Sequence, residues 1–344
     1  TYTPNPAPLP TVTDPIVLDA SLQPGYAGSP IIEIDGSSAG SNVAGIHISA
    51  GGSTVRGFVI HSFFGADPLG SGIQLDTAGG NMITANWLGT DTTGAAADPA
   101  PNNTQGLLIL NSSSNQVGGT DPADRNVMSG NRLRGMHLQG TSASGNTIQG
   151  NYFGTNASGT AAVPNPLGFY FRDAPDNTFG GTANGAGNVV SGNGIYGVYL
   201  VGDDADRNII KGNTIGLNAA RSGPLGNVGD GISTFEADDT VIGGTENGAS
   251  NLISANGGGI GLHTGSTGTL IRRNSIYDNT GLGIDLGNNT AVDPNDGSVG
   301  AGANNGLDYP IFTSALIEGS TLSVTGFVGS AAGQVAFANV EIDV

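Results

Sequence analysis

Basic and aromatic side chains near the middle of this 344-residue chain form the group best suited to chemistry. Guanidinium groups bind carboxylates and sulfates, and tyrosine rings stack on sugar faces. The group contains three of the ten lysine and arginine residues of the chain. Its members are Arg132, Arg134, His137, Tyr170, Arg172, Tyr196 and Tyr199. If the fold gathers them on one face, they predict a site for an acidic glycan. The alternative is an ordinary polar sheet face with cross-strand tyrosine pairs.

The same group permits a catalytic alternative, a polysaccharide lyase. Such an enzyme needs a base, and aspartates that hold Ca²⁺ next to the uronate carboxylate of the substrate. The candidate bases are Arg134, His137 and Arg172. The candidate calcium ligands are Asp203, Asp204 and Asp206. An Asp-rich corner such as this one is more often a solvated turn.

A glycoside hydrolase would need two carboxylates facing one groove, about 5 to 9.5 Å apart. The dense acidic set consists of Asp230, Glu236, Asp238 and Asp239, and Asp285 stands alone further along the chain. The pattern places no such pair. We therefore expect no catalytic residues and no cofactor, with calcium as the one alternative.

An internal repeat carries these side chains. Its opening motif, N-T-I-Q-G-N-Y-F-G-T at residues 146–155, recurs from Asn81 and Asn208 and fades from Thr269, at spacings of 65, 62 and 61 residues. Each unit contains the tetrad G-h-x-h twice, where h is apolar. The tetrads begin at Gly45, Gly72, Gly106, Gly135, Gly168, Gly197, Gly231, Gly259 and Gly283.

Between successive tetrads lie three short segments with period-two alternation, which is typical of β-strands. Strands of a few residues separated by Asn and Gly corners cannot pair as hairpins in this order. They can instead wind into stacked turns in which each strand pairs with the equivalent strand of the next turn. Both corner residues accept left-handed backbone angles at little cost. The sequence predicts an all-β parallel β-helix of about nine turns, stacked about 4.8 Å apart.

Asparagines recur in columns at the predicted corners, where stacked amides can form ladders. The columns are Asn81, Asn146 and Asn208; Asn86, Asn151, Asn213 and Asn274; Asn126, Asn188 and Asn251; and Asn131, Asn193 and Asn256. Long loops recur in every second turn, at residues 91–105, 156–167 and 218–230. They should project from one corner as a ridge.

One column of side chains that should point away from the core is unusually apolar. It contains Trp87, Val127, Tyr152, Val189, Thr214, Leu252 and Ser275. In one interpretation the long loops fold over this column and hide it. In the other, Trp87 and Tyr152 belong to a partner-binding or sugar-stacking surface.

The motifs N-Y-F-G-T, G-F-Y-F, N-T-F-G-G-T and N-V-V-S-G-N resemble the right-handed parallel β-helix repeat of large secreted bacterial surface proteins. The resemblance covers about residues 43–289, and residues 10–36 resemble the segment that precedes such repeats. It implies a right-handed β-helix and an extracellular or cell-surface location. It implies no single activity, because this fold serves many functions.

Composition narrows the classes of partner. A net charge of −18 excludes a general nucleic-acid binder and disfavours attraction to anionic lipid. There is no cysteine, so disulfides and thiolate metal sites are impossible. No stretch approaches the roughly 20 apolar residues of a membrane span. The opening T-Y-T-P-N-P does not resemble a signal peptide, so a secreted form would be mature or trimmed.

Three regions are expected: residues 1–42 as an N-terminal arm and cap, 43–292 as the β-helix, and 293–344 as a C-terminal loop and β-strands. The last strands resemble the opening of an immunoglobulin-like sandwich. They either cap the β-helix or leave an edge through which the protein self-associates. The function predicted is that of a non-catalytic extracellular structural or adhesive protein that binds polysaccharide or cell-surface glycan. A polysaccharide lyase is the alternative.

Overall fold

The computed structural model describes residues 8–99, 102–287, 292, 295–297 and 302–330. Its main body is a right-handed parallel β-helix, which confirms the predicted fold. Three parallel sheets of nine strands each run along the body, so the β-helix has nine turns. Each turn adds one strand to each sheet. Among the described residues, no helix has the length and apolarity needed to cross a membrane.

The first five turns contain strands β1 to β15. They are β1 (Val17–Asp19), β2 (Ile32–Asp35) and β3 (Ile46–Ile48); β4 (Thr54–Arg56), β5 (Phe58–His61) and β6 (Ser71–Asp76); β7 (Met82–Thr84), β8 (Trp87–Leu88) and β9 (Gln105–Leu110); β10 (Gln116–Gly118), β11 (Val127–Met128) and β12 (Arg134–Gln139); and β13 (Thr147–Gln149), β14 (Tyr152–Phe153) and β15 (Leu167–Arg172).

The last four turns contain strands β16 to β27. They are β16 (Thr178–Gly180), β17 (Val189–Val190) and β18 (Tyr196–Val201); β19 (Ile209–Lys211), β20 (Thr214–Ile215) and β21 (Asp230–Phe235); β22 (Val241–Gly243), β23 (Leu252–Ser254) and β24 (Gly258–Leu262); and β25 (Leu270–Arg272), β26 (Ser275–Tyr277) and β27 (Ile284–Leu286). Sheet 1 contains the first strand of every turn, sheet 2 the second and sheet 3 the third.

Inward side chains stack in register from turn to turn and form one continuous apolar core. Leu138 in β12 lies between Ile109 and Phe171, and all three are fully buried. In the middle turns the core is aromatic: the ring centroids of Phe169 and Phe171 are 4.4 Å apart. The period-two alternation of the sequence therefore arises because alternate side chains of each strand point into the core and away from it.

Asparagine ladders run along the corners, as predicted. At the corner between sheets 1 and 2, Asn126 donates its backbone N–H (3.1 Å) and its Nδ2 (2.9 Å) to Oδ1 of Asn151. Asn151 donates in the same way to Asn188 and also to the carbonyl of Val117. This ladder contains Asn86, Asn126, Asn151, Asn188, Asn213, Asn251 and Asn274. Two columns predicted separately are thus one ladder, because each of the last seven turns contributes one asparagine.

The long loops hydrogen-bond to one another. Ala157 donates its N–H to the carbonyl of Gly94 (2.8 Å), and Ala219 donates to Gly159 (2.9 Å). Ala157 and Ala219 pack on the outward column of sheet 2, where Val127, Tyr152 and Val189 are buried. The loops therefore cover much of this apolar column, as the first of the two interpretations predicts.

Both ends of the β-helix differ from the body. Strands β1 and β2 complete the first turn, so the expected division at residue 43 falls inside that turn. At the other end, Asn304 donates Nδ2 to the carbonyl of Thr269 and accepts its N–H, both at 2.9 Å, and so caps the ninth turn.

Beyond this cap, β28 (Pro310–Glu318) and β29 (Thr321–Val328) form an antiparallel hairpin. Three short 3₁₀ helices complete the described structure: Ala20–Leu22, Pro122–Asp124 and Ala303–Gly306. The last strand-like stretch expected from the sequence, Q-V-A-F-A-N-V-E-I-D-V, lies outside the described residues.

Substitution of one ladder residue tests how much the amides stabilise the fold. We expect Asn151→Ala to lower the free energy of unfolding by roughly 3 kcal/mol, because buried donors and acceptors on neighbouring turns lose their partners at about 1–3 kcal/mol each. Chemical denaturation measures the loss. The control is Asn247→Ala, since Asn247 is exposed in a turn; its effect should stay within about 0.5 kcal/mol. Equal effects of the two substitutions would contradict a stabilising role for the ladder.

Candidate functional site

The outward face of sheet 3 brings together most of the predicted basic and aromatic group. His137, Tyr170 and Tyr199 are in register on β12, β15 and β18. The ring centroids of His137 and Tyr170 are 4.9 Å apart, and those of Tyr170 and Tyr199 are 5.7 Å apart. Tyr196 continues the series at 5.0 Å from Tyr199. We call Tyr170, Tyr196 and Tyr199 the tyrosine strip.

Arg134 lies beside the strip but is held by an ion pair. Its Nη1 and Nη2 donate to the two carboxylate oxygens of Asp67 at 2.6 and 3.0 Å. Its Cζ lies 4.5 Å from the centre of the Tyr170 ring. The hydrogen bond from Arg134 is the main reason that the pKa of Asp67 is lowered. Such a bidentate pair fixes the loop between β5 and β6 on the sheet and leaves little of the guanidinium for a ligand.

His137 is fully buried on the same sheet. Neither ring nitrogen has a hydrogen-bond partner among the described residues. Burial, followed by the nearby charge of Arg134, lowers the pKa of His137 to about 3. The imidazole is therefore neutral and out of reach of a polymer. Of the three candidate bases of the lyase alternative, His137 is buried, Arg134 is bound to Asp67, and Arg172 is exposed.

The accessible part of the face consists of tyrosines and two arginines. Tyr196 and Tyr199 are half-buried, whereas Arg172 and Arg132 are exposed. Nε of Arg172 lies 3.8 Å from a carboxylate oxygen of Asp173, which offsets its charge. Burial is the main cause that raises the pKa of Tyr199 to about 12, so its hydroxyl stays protonated. A ligand on this face would therefore meet mainly neutral tyrosine rings and hydroxyl groups, and less unpaired positive charge.

The three aspartates considered for calcium do not converge. Asp203 and Asp204 are exposed in a turn, and Oδ1 of Asp206 accepts the backbone N–H of Asp238 at 2.8 Å. Within the described ranges, no three or more His, Cys, Asp or Glu side chains are placed to hold a metal ion. These aspartates lie at a corner between turns, as the solvated-turn interpretation predicts.

Trp87 and Tyr152 lie on sheet 2, on a different face from the tyrosine strip. Tyr152 is buried and Trp87 is half-buried. The Cζ atom of Arg125 lies 4.2 Å from the centre of the Tyr152 ring. Sequence reasoning missed Arg125, although it stands two residues before Val127, which is in register with Tyr152.

A second feature missed from the sequence is a carboxylate pair at one cavity. Asp230 and Asp285 both line a cavity of about 350 Å³ next to Tyr196. Gly258 on β24 is in register with Asp230 and also lines the cavity, where a Cβ atom would clash with Oδ1 of Asp230. Burial, rather than Asp285, is the main cause that raises the pKa of Asp230. Both carboxylates line one cavity, although Asp230 is in register with Gly258 and Asp285 with Gly261, so they stand in different columns of the sheet.

The fold and this face define a class of protein: a parallel β-helix with rings and hydroxyl groups on its outer surface. A sequence model of the family described as periplasmic copper-binding protein (NosD) matches residues 49–291. The match spans most of the chain, so the chain belongs to this family. Among solved structures, the Dettilon tailspike protein (gp208) is similar at 12% identity and a TM-score of 0.31, over 95% of this chain and 68% of that one. That likeness is too distant to bear on function.

The low pKa of His137 predicts an acid-dependent loss of stability. Between about pH 6.5 and pH 3 the unfolded chain binds one proton that the folded protein does not, so stability falls as the pH falls. We expect His137→Leu to remove this dependence, about 1.4 kcal/mol for each pH unit in that window. Leucine should fit, because Leu108 occupies the same column one turn away.

Denaturation of both proteins at several pH values measures the difference. Parallel pH profiles for the two proteins would contradict a buried, neutral His137.

Proposed function

We propose that this protein is a non-catalytic β-helical rod that acts outside the cytoplasmic membrane and binds polysaccharide through the tyrosine strip. One observation carries the proposal: three tyrosine rings follow one another across two adjacent turns at centroid distances of 5.0 and 5.7 Å. Tyr196 and Tyr199 are partly exposed at the surface. Tyr170, on the preceding turn, is buried and packs beside Tyr199.

Ring geometry suits a sugar polymer. A tyrosine ring offers a flat apolar face for the C–H groups of a sugar and a hydroxyl for its polar edge. The rings sit on strands whose register is set by the stacked turns, so they lose little freedom when a ligand binds. Repeated rings along a rigid rod match a repeated ligand, which favours a polysaccharide over a small molecule.

Charge favours a neutral polysaccharide over the acidic glycan expected from the sequence. The bidentate pair with Asp67 neutralises Arg134, and Asp173 lies beside Arg172. The whole chain carries a net charge of −18, which repels polyanions. Binding at the tyrosine strip should therefore depend little on salt.

Location and assembly are parts of the same proposal. The family's description names the periplasm, which supports a site of action beyond the cytoplasmic membrane. Self-association through the C-terminal strands stays a prediction. It is supported by the apolar side chains exposed on the β28–β29 hairpin, among them Phe312, Leu316 and Ile317.

Copper, which the family's description also names, finds no fitting site in the described part of the chain. Protein copper sites use histidine, cysteine and methionine side chains. The chain has no cysteine, and of its three methionines Met128 and Met136 are fully buried in the core while Met82 is exposed. No three-ligand group occurs within the described ranges. We assign no copper-dependent step to this protein.

Removal of a ring tests the proposal. We expect Tyr199→Ala and Tyr196→Ala each to weaken binding of a soluble neutral glucan, xylan or mannan about threefold to tenfold, because one stacking contact is lost. Isothermal titration calorimetry at low and high salt measures the affinity. Tyr277→Ala is the matched control, since Tyr277 is an exposed tyrosine on sheet 2. The proposal is wrong if none of these polymers binds, or if the control weakens binding as much as the strip variants do.

A further inference from the structure

We propose a second, separate binding site on sheet 2: a cleft at Trp87 and Arg125 that binds a sugar carrying a carboxylate, such as a uronate residue. We call it the Trp87 cleft. It uses none of the residues of the tyrosine strip, and its ligand is acidic rather than neutral. The inference therefore goes beyond the proposed function and does not depend on it.

The cleft is large enough for a sugar ring. Its volume is about 400 Å³, within the range of small-molecule sites. Trp87 and Val127, which are in register on β8 and β11, line it together with Arg125. The remaining lining comes from residues 93–95 and 156–158 of two successive long loops, from residues 28–30 of the first turn, and from Ala85, Pro122 and Ala123. Sheet and loops thus build one concave site between them.

Trp87 is held in place while part of its ring remains accessible. The loop approaches so closely at Gly94 that a Cβ atom there would lie 2.8 Å from a ring atom of Trp87. Gly94 also has a φ of 65°, a backbone conformation that suits glycine. On the other side, Trp87 packs against the apolar cluster of Val127, Tyr152 and Val189, in which Val127 is its neighbour in register. A ring clamped in this way is a preformed stacking surface for a sugar.

Arg125 supplies the charge. Its Nε donates to the carbonyl of Gly150 at 3.1 Å, and its guanidinium lies over the Tyr152 ring. These contacts orient the side chain without using Nη1 or Nη2. No carboxylate within the described ranges lies within 4.0 Å of it, whereas Arg56, Arg134 and Arg207 each pair with an aspartate. Two free guanidinium N–H groups on an oriented side chain match a carboxylate.

Nearby carboxylates do not cancel this charge. Arg56 binds Asp124 at 2.5 Å. Asp91 accepts hydrogen bonds from the backbone N–H groups of Thr93 and Ala95 within its own loop. The negative charge elsewhere on the rod is screened beyond about 8 Å at physiological salt. A uronate can therefore combine ring stacking on Trp87 with an ion pair to Arg125.

The fluorescence of Trp87 tests this directly, because Trp87 is the only tryptophan in the chain. We expect a saturable change in emission when a glucuronate oligosaccharide is added, and at least tenfold weaker binding of a glucose oligosaccharide of the same length. Free acetate and phosphate serve as probes for simple anions and should bind far more weakly than the acidic sugar. The acidic sugar should also bind more weakly as the salt concentration rises.

Variants separate this site from the tyrosine strip. Arg125→Gln should weaken binding of the acidic sugar at least tenfold, and Arg125→Lys should give an intermediate loss because it keeps the charge but not the planar fork. Arg221→Gln is the matched control, since Arg221 follows the equivalent strand β20 and should leave binding unchanged. Tyr199→Ala should also leave it unchanged, even if the strip binds no polysaccharide.

Three outcomes would overturn the inference. They are an absence of any change in Trp87 emission, equal affinities for the acidic and neutral oligosaccharides, and unaltered binding by a correctly folded Arg125→Gln variant. Circular dichroism of each variant establishes that it has folded.

Discussion

Buried asparagine ladders are the constraint on which the rest of this structure depends. Each corner of a β-helix turns the backbone away from its neighbours and would leave its polar groups unpaired inside the protein. Here the side chain of Asn151 accepts two hydrogen bonds from Asn126 and donates to the carbonyl of Val117. Because the same bonds repeat through the last seven turns, these corners are satisfied without water, and each of these turns is held in register with the next.

Fixed register determines what the outside of the rod can do. Every third strand places its outward side chains directly above those of the previous turn, so His137, Tyr170 and Tyr199 meet although they are distant in sequence. The loops between strands are free of this constraint and decide which outward residues remain accessible. The loop that carries Asp67 binds Arg134, whereas Tyr196 and Tyr199 stay partly open. Binding surfaces therefore arise where a column of rings is not covered.

The parts predicted from the sequence are those that the repeat determines. Spacing of the tetrads and asparagines predicts the three sheets, the nine turns and the columns of outward residues. The ion pair between Arg134 and Asp67 could not be predicted from the sequence, because Asp67 lies in a loop that no other turn repeats. The shared cavity of Asp230 and Asp285 depends on the absence of a side chain at Gly258, and alternation patterns carry no information about empty space. Arg125 was missed for a similar reason. The sequence does not show that, among the described residues, no carboxylate pairs with it.

Hydrogen exchange of the folded protein, followed residue by residue, tests the central claim that the ladders hold the corners rigid. We predict that the backbone amides of Asn126, Asn151 and Asn188, which bond to ladder side chains, exchange as slowly as those of the neighbouring strands. The amide of Ala95, bonded only within an exposed loop, should exchange much faster. If the corner amides exchange as fast as that of Ala95, the ladders do not fix the turns, and the preformed columns of side chains lose their physical basis.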